Sequence, residues 1–384
     1  MPLLDGYPTR VQNPGGWQSS SSAIHAIDGE VARGVFLAVD GNQGEIDSLT
    51  DVSGRTTKLE EVVAPLALEP TAPDLRGAIA VFGGRDSNKS DIYLYPFSLG
   101  TLINLTEEEN PLLPEDTLPT VGGLEGDEVF WQRNQGIWPP AGVTQEWDLW
   151  HKPSGCGRLS CSRAIFERNG RNEIRPRASR DHLAYEVFSP GAPLSGHDVA
   201  VWDVEQRTEV WQSNHPQEER APDTHAGRLA FLRRRPDLTN NPYWVCHGAL
   251  GAVPQPVLSP DSPPYNEACE EMLGVRVGGS EGQLLLYLTQ DCCNLGNSTR
   301  NLVLWLEDVS AGCVWEVDVI ANSQSTFVPQ TTLVGLPSLF DISGNAIIYS
   351  KDRDDSGQDE WWTYVVRFDE SRLPETCGKI RELP

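Results

Sequence analysis

Short apolar segments alternate with polar turns along the whole chain, and the same arrangement recurs seven times. In each unit a turn, usually closed by Gly, precedes five apolar-rich residues, and an aromatic-rich segment follows. The first segments of the units are VFLAV from Val35, AIAVF from Ala78, EVFWQ from Glu128, HLAYE from His182, RLAFL from Arg228, LLLYL from Leu284 and AIIYS from Ala346. Such self-similarity is typical of repeat proteins, in which one unit is too small to bury its own apolar face.

The second segment of each unit is rich in aromatic and β-branched residues, as in DIYLY from Asp91 and LVLWL from Leu302. These residue types favour strands, and a third and a weaker fourth segment complete each unit. No stretch shows the sustained 3.6-residue periodicity of helices. The pattern therefore predicts an all-β protein, a β-propeller of seven four-stranded blades with six as the alternative count. We interpret the tryptophans as packing between sheets, with an exposed sugar-binding platform as the alternative.

The ends of the chain suggest how the ring closes. We expect residues 1–20 to form an N-terminal extension and residues 21–384 to form a single propeller domain. The last unit supplies three strands, AIIYS, WWTYVV and CGKIREL, and lacks a fourth. The segment SSAIHAIDG from Ser21 precedes the first unit and has no partner of its own. We expect it to pair in the last blade, which would leave no open sheet edge.

Two units resemble the repeat of TolB-like β-propellers. The segments IAVFGGRDSNKSDIYLY from Ile79 and IIYSKDRDDSGQDEWWTYVV from Ile347 match its apolar strand, acidic turn and aromatic strand. DISGNAIIYS from Asp341 and SRDHLAYE from Ser179 look like its Ser-Pro-Asp-Gly turn. The resemblance implies a propeller but no single function, because such blades occur in binding proteins, in propellers that gate peptidases and in lyases. TolB itself has a further α/β domain, for which the residues before the first repeat are too few.

The net charge of −25 over 384 residues restricts the partners. Nucleic acid is not expected, since its binding relies on Lys and Arg that neutralise phosphates. No apolar run approaches the length that a bilayer requires, so we expect no membrane insertion. The charge favours a soluble monomer, and a surface that collects cations or basic partners is the alternative.

Eight cysteines bear on the compartment. They contain no CxxC pair, and Cys156 and Cys161 are spaced to bridge a short hairpin as a disulfide. Disulfides persist in oxidising compartments, so we expect a periplasmic or secreted protein, although the chain shown carries no signal peptide. Buried thiols in a cytoplasmic protein are the alternative.

The acidic segment DRDDSGQDE from Asp352 is a candidate calcium site. Its oxygen ligands would come from Asp352, Asp354, Ser356 and Glu360, because Ca²⁺ prefers several oxygens on a tightly turned loop. The bidentate Glu of an EF-hand is missing, since Thr363 stands at that position. The alternative is an ordinary turn between two strands of the repeat. Calcium is the only cofactor that the sequence suggests.

Other motifs give weaker signals. GGSEG from Gly278 satisfies the G-x-S-x-G pattern, but Ser280 leads into a strand and no His follows it in the chain; hydrolase elbows need a helix and a later His. The seven histidines show no close metal spacing. We expect a non-catalytic scaffold that binds a protein, peptide or glycan. The alternative is a propeller enzyme, a metal-assisted lyase or lactonase, with its site at the central channel.

Overall fold

The computed structural model describes most of the repeat and leaves gaps mainly in the connecting segments. The described residues are 9–10, 18–25, 33–40, 43–50, 58–64, 73–86, 89–106, 116–123, 126–134, 147–156, 161–166, 170–189, 196–235, 243–252, 254–258, 271–290, 301–321, 339–352, 361–371, 373 and 379–380. Within these ranges no helix has the length and apolar content needed to span a bilayer.

The regular elements described are all strands apart from short 3₁₀ turns. The strands are β1 (Thr9–Arg10), β2 (Gln18–His25), β3 (Arg33–Asp40), β4 (Gln43–Thr50), β5 (Lys58–Ala64), β6 (Asp74–Arg76), β7 (Ile79–Asp86), β8 (Lys89–Pro96), β9 (Ile103–Asn104), β10 (Asp116–Gly122), β11 (Glu128–Asn134), β12 (Trp147–Pro153), β13 (Arg163–Ala164), β14 (Asn172–Ala178), β15 (His182–Phe188), β16 (Asp198–Asp203), β17 (Thr208–Gln212), β18 (Glu219–His225), β19 (Arg228–Arg234), β20 (Tyr243–Ala249), β21 (Gln255–Leu258), β22 (Glu271–Gly278), β23 (Leu284–Gln290), β24 (Leu302–Asp308), β25 (Cys313–Ala321), β26 (Phe340–Ser343), β27 (Ala346–Asp352), β28 (Trp361–Arg367) and β29 (Lys379–Ile380).

The described strands form seven antiparallel sheets, which we number as blades 1 to 7 in chain order. Blades 1 to 5 are β2–β5, β6–β9, β10–β13, β14–β17 and β18–β21; blade 6 is β22–β25 with β29, and blade 7 is β26–β28 with β1. The first strands of the blades, β2, β6, β10, β14, β18, β22 and β26, contact one another in sequence, and β26 contacts β2. These seven inner strands therefore close a ring around a central channel, which confirms the predicted propeller.

The ring closes through the N-terminal segment, but not through the part that we expected. Strand β1 pairs with β28 in the last blade, with Thr9 opposite Val365. The segment from Ser21 lies in β2 instead and pairs with β3 as the inner strand of blade 1. The expectation failed because β3 to β5 supply only three strands, so the first unit needs an inner strand of its own. The C-terminal segment also differs, since β29 pairs with β25 of blade 6.

Glycines in the turns before the second strands allow neighbouring blades to approach. Gly126 and Gly282 have φ angles of 78° and 69°. A Cβ atom on Gly126 would lie 2.8 Å from the Arg76 carbonyl oxygen, and one on Gly282 would lie 2.6 Å from the His225 carbonyl oxygen. Glycine is needed at both positions for conformation and for space. Gly34, which we expected in such a turn, lies within β3.

The core consists of apolar layers between adjacent blades. The layer between blades 6 and 7 contains Trp315, Phe340 and Trp361, all at most 1% exposed. Every tryptophan in the described ranges is buried or half-buried. This agrees with the interpretation of these side chains as packing between sheets, a role in which burial of large aromatic surfaces stabilises the fold.

Three inner strands carry a β-bulge at the same place. The bulge residues Leu118, Arg175 and Ala221 have φ angles of 50°, 52° and 51°, and a proline follows each of them. The bulges in β14 and β18 direct a backbone N–H at the preceding blade: Arg175 donates to Gln132 Oε1 at 2.8 Å and Ala221 donates to Glu186 Oε1 at 2.9 Å. The bulges thus make hydrogen bonds between blades.

Candidate functional site

The central channel is lined by one charged or polar residue from almost every blade. These ring residues lie at one register position, opposite the third residue of each blade's second strand. The ring residues of blades 2 to 7 are Asp74, Thr120, Arg177, Asp223, Arg276 and Asp341. Blade 1 has Ala23 at the same register. The repeat therefore brings residues together that are up to 267 positions apart in the chain.

Two aspartates of the ring are fixed by the backbone of the following blade. Asp74 Oδ2 accepts hydrogen bonds from Thr120 Oγ1 at 2.6 Å and from Val121 N at 2.9 Å. Asp223 Oδ2 accepts one from Val277 N at 2.7 Å. Val121 and Val277 each directly follow the ring residue of their own blade. The same hydrogen bond, from this backbone N–H to the ring side chain of the preceding blade, therefore joins blades 2 and 3 and blades 5 and 6. We call this hydrogen bond a clamp.

Thr120 makes the corresponding clamp to blade 4. Its Oγ1 accepts a hydrogen bond from Ala178 N at 2.9 Å while it donates to the carboxylate of Asp74. Thr120 is 1% exposed. Leaving such a buried donor without its acceptor is costly, so this side chain stabilises two blade boundaries at once.

Arg177 occupies the ring position of blade 4 and interacts across the channel. Its guanidinium lies 3.7 Å from Asp74 Oδ1, 3.4 Å from Asp223 Oδ1 and 3.4 Å from Asp341 Oδ1. Burial of the guanidinium would lower the pKa of Arg177, but the three carboxylates outweigh this effect and raise its pKa. Arg177 therefore remains charged and connects blades 2, 5 and 7 to blade 4.

Arg276 is a second guanidinium in the ring and is 3% exposed. Its Nε lies 3.8 Å from Asp341 Oδ1, and its Nη1 donates to the Val275 carbonyl oxygen at 3.0 Å. Burial, and then the positive charge of Arg177, lower the pKa of Arg276 to about 10. It too carries a positive charge at neutral pH.

A small polar cavity of about 90 Å³ lies at the end of the channel where the inner strands finish. Arg76, Thr224, His225 and Ser343 line it beyond the ring residues. Arg76 Nε donates to the Gly123 carbonyl oxygen at 2.9 Å. Burial lowers the pKa of His225, although Asp223 opposes this change, so the imidazole is largely neutral at pH 7. The cavity can hold a few water molecules or one small polar group.

Among the residues described, no group of three or more His, Cys, Asp or Glu side chains is arranged to hold a metal ion. The described histidines do not converge on one site. His225 lines the channel cavity, whereas His247 Nε2 is hydrogen-bonded to the Gly282 carbonyl oxygen between blades 5 and 6.

No protein-family model matches the chain, and no curated protein matches it either. Solved structures do. The acylaminoacyl peptidase of Pyrococcus horikoshii matches with a TM-score of 0.58 and 10% identity, over 93% of this chain and 53% of that one. The β-propeller domain of the trilobed protease from Pyrococcus furiosus matches with a TM-score of 0.56 and 12% identity, over 96% of this chain and 100% of that domain. A prolyl endopeptidase structure matches with a TM-score of 0.52 and 11% identity, over 91% and 50%.

The chain adopts the β-propeller fold. At these identities the similarity extends to the fold alone, and this chain spans about half the length of the acylaminoacyl peptidase and prolyl endopeptidase structures. The expectation of a non-catalytic binding scaffold, with a lyase or lactonase as its alternative, is contradicted. The three structures reported above are peptidases or a propeller domain of one.

The candidate calcium site lies largely outside the described residues. Asp352 ends β27 and is 6% exposed, whereas Asp354, Ser356 and Glu360 are not described. Calcium binding at this segment therefore stays a prediction.

The structure pairs Cys156 with Cys161 as a disulfide, with 6.3 Å between the Cα atoms. Cys313 is also disulfide-bonded. Cys246 is a free and fully buried thiol, and burial raises its pKa to about 12, which makes it a poor nucleophile.

Ser280 of the G-x-S-x-G motif lies in a turn between β22 and β23. Its N–H and hydroxyl both donate to Glu370 Oε1, at 3.0 and 3.2 Å. A strand follows the turn where a hydrolase elbow would have a helix, so the motif is structural here.

The ring residues are not evident as a site from the sequence, and Asp341 was singled out above only as part of a turn. A signal was available, because a proline precedes the ring residue in blades 2 to 5, as in the repeated Ala-Pro-Asp that ends at Asp74 and at Asp223. The inner strands are the least apolar strands of the repeat, so hydrophobic patterning did not reveal them.

Proposed function

We propose that this chain is a peptidase-associated propeller, a domain or subunit that controls which peptides reach a peptidase active site. The observation that carries the proposal is the match of nearly the whole chain to the entire propeller domain of the trilobed protease, together with matches to about half of two other peptidases. The described residues contain the propeller but no nucleophile in a catalytic setting, since Ser280 is bonded to Glu370 and Cys246 is buried. Catalysis would therefore belong to another domain or subunit.

The test combines the propeller with a peptidase that is encoded in the same or an adjacent reading frame. Hydrolysis of a peptide series of increasing length is measured with and without the propeller. We expect the propeller to lower kcat/KM for long peptides at least about tenfold relative to short ones, since a closed ring excludes bulky substrates. Failure to associate, or an effect independent of peptide length, would reject the proposal. A peptidase from an unrelated pathway serves as the control.

We further propose that the repeat belongs to the TolB-like kind and that the protein works in an oxidising compartment. The first proposal is supported by the segments from Ile79 and Ile347, and the second by the Cys156–Cys161 pair. Counting free thiols in the denatured, unreduced protein tests the second proposal. Eight reactive thiols would contradict it.

A further inference from the structure

Arg177 stands at a position that other blades use to bind their neighbour. At the same register, Asp74, Thr120 and Asp223 supply an oxygen that accepts a backbone N–H from the next blade. A guanidinium has no acceptor atom and cannot make this bond. Arg177 therefore cannot accept the backbone N–H of blade 5 as the ring residues of three other boundaries do, and its guanidinium interacts with carboxylates instead.

The guanidinium of Arg177 reaches across the channel to carboxylates on three other blades. Its distances to them, 3.4 to 3.7 Å, are longer than the 2.7–2.9 Å typical of charge-assisted hydrogen bonds. Two of those carboxylates accept shorter hydrogen bonds from a backbone N–H of the following blade. The donor–acceptor distance is 2.7 Å at Asp223 and 2.9 Å at Asp74. The carboxylates are thus fixed, and the guanidinium is held between them mainly by charge.

We propose that Arg177 is an ionic crossbar that closes the central channel at the level of the ring residues. The guanidinium bridges blades that face one another across the ring, and Arg276 narrows the same level from blade 6. Solutes pass this level only when the Arg177 guanidinium leaves the three carboxylates. The crossbar belongs to the channel of this chain and does not depend on a peptidase partner.

The experiment is hydrogen exchange of the inner-strand amides in Arg177→Ala. The reporters are the N–H groups of Val121 and Val277, which donate to the ring carboxylates. We expect their exchange to accelerate at least about tenfold over the wild type, while amides of the outer strand β17 keep their rates. Uniform acceleration of all amides would mean only general destabilisation and would overturn the proposal.

Adding guanidinium ion to Arg177→Ala then shows whether faster exchange results from the lost positive charge or from the cavity that the shorter side chain leaves. Guanidinium ion at low, non-denaturing concentration should restore slow exchange in Arg177→Ala, whereas sodium chloride at equal ionic strength should not. In Arg177→Met the side chain fills the space without charge, so guanidinium should have no effect. Equal rescue by sodium, or wild-type exchange rates in Arg177→Ala, would overturn the crossbar.

Arg180→Ala is the matched control, because Arg180 follows closely in the chain and its side chain is 60% exposed. In Arg180→Ala the amides of Val121 and Val277 should exchange at the wild-type rate. Should Arg177→Ala fail to fold, Arg177→Lys keeps the positive charge but loses the fork of donors. It should show intermediate exchange at Val121 and Val277, and rates equal to the wild type would count against the crossbar.

Discussion

The boundary between blades 2 and 3 and the boundary between blades 4 and 5 use one register position in opposite ways. At the first boundary Asp74 accepts hydrogen bonds from Thr120 and Val121. At the second, Arg177 cannot accept a backbone N–H, and its guanidinium instead lies 3.4 Å from Asp223 Oδ1. The hydrogen bond from Ala221 N to Glu186 at this boundary has its counterpart between blades 3 and 4, where Arg175 N donates to Gln132. The difference shows how a repeat acquires a special site: at one ring position a cation stands in place of a hydrogen-bond acceptor, and this cation interacts with carboxylates of three other blades.

Of the substitutions that test this comparison, Asp74→Ala should lower the free energy of unfolding most. The change removes the acceptor for Thr120 and Val121 and one partner of Arg177. Breaking a buried charged network by removing one partner costs about 3–5 kcal/mol. Urea unfolding measures this loss, and a loss below about 1 kcal/mol would show that the clamp does not hold the two blades together.

Replacing Thr120 with Val tests the clamp without removing a charge. The shape is kept, but Ala178 N loses its acceptor and Asp74 loses a donor. We expect a loss of about 1–2 kcal/mol, because the donor of the half-buried Ala178 becomes unsatisfied. Thr120→Ser, which keeps the hydroxyl, should recover most of that loss in the same unfolding measurement.

Glu186→Gln tests the hydrogen bond from Ala221 N to Glu186, which joins blades 4 and 5, through its pH dependence. Burial would raise the pKa of Glu186, but the charge of Arg175 and the hydrogen bonds from His197 and Ala221 outweigh burial and lower the pKa below 4.5. The ionised carboxylate therefore stabilises the folded state at neutral pH, and this contribution disappears as the pH falls through the folded-state pKa.

The variant should consequently be about 1 kcal/mol less stable than the wild type at pH 7, and the difference should shrink below pH 4.5. Urea unfolding between pH 7 and pH 3 measures both curves. Parallel curves across that range would show that the charge of Glu186 does not contribute to the boundary.

Asp181→Ala should have the smallest effect and serves as the control for the other three. Its side chain is 59% exposed and lies 3.5 Å from Arg180 at the surface. Exposed ion pairs contribute at most about 1 kcal/mol, and many contribute nothing measurable. A larger loss would mean that charge near the channel mouth stabilises the protein without any clamp, and the comparison between the two boundaries would lose its basis.

The repeat could be recognised from the sequence because its second strands are almost continuously apolar. Strand β23, for example, is LLLYLTQ, and six of its seven residues are buried. The closing strand was assigned wrongly, since β1 contains only two residues, Thr9 and Arg10, and has no apolar pattern. Short edge strands depend on where their partners lie, which local patterning does not encode.

The candidate site was less predictable than the fold. Motifs in a sequence consist of residues close together along the chain, such as the acidic segment from Asp352 and the turn at Ser280. The channel combines residues with the same register in different blades. Asp74 and Asp341 both interact with Arg177 although about 100 and 164 positions separate them from it.

The sequence by itself determined the repeat, its strands and its apolar layers, because apolar and polar residues alternate within each unit over short distances. Only the tertiary structure decided which residues face the channel and how they interact. Closure of the ring sets the angle between blades, and this angle places Arg177 among carboxylates from three other blades. Charges that the sequence presents as scattered surface residues thereby become a buried network, whose strength depends on distance and on exclusion of water.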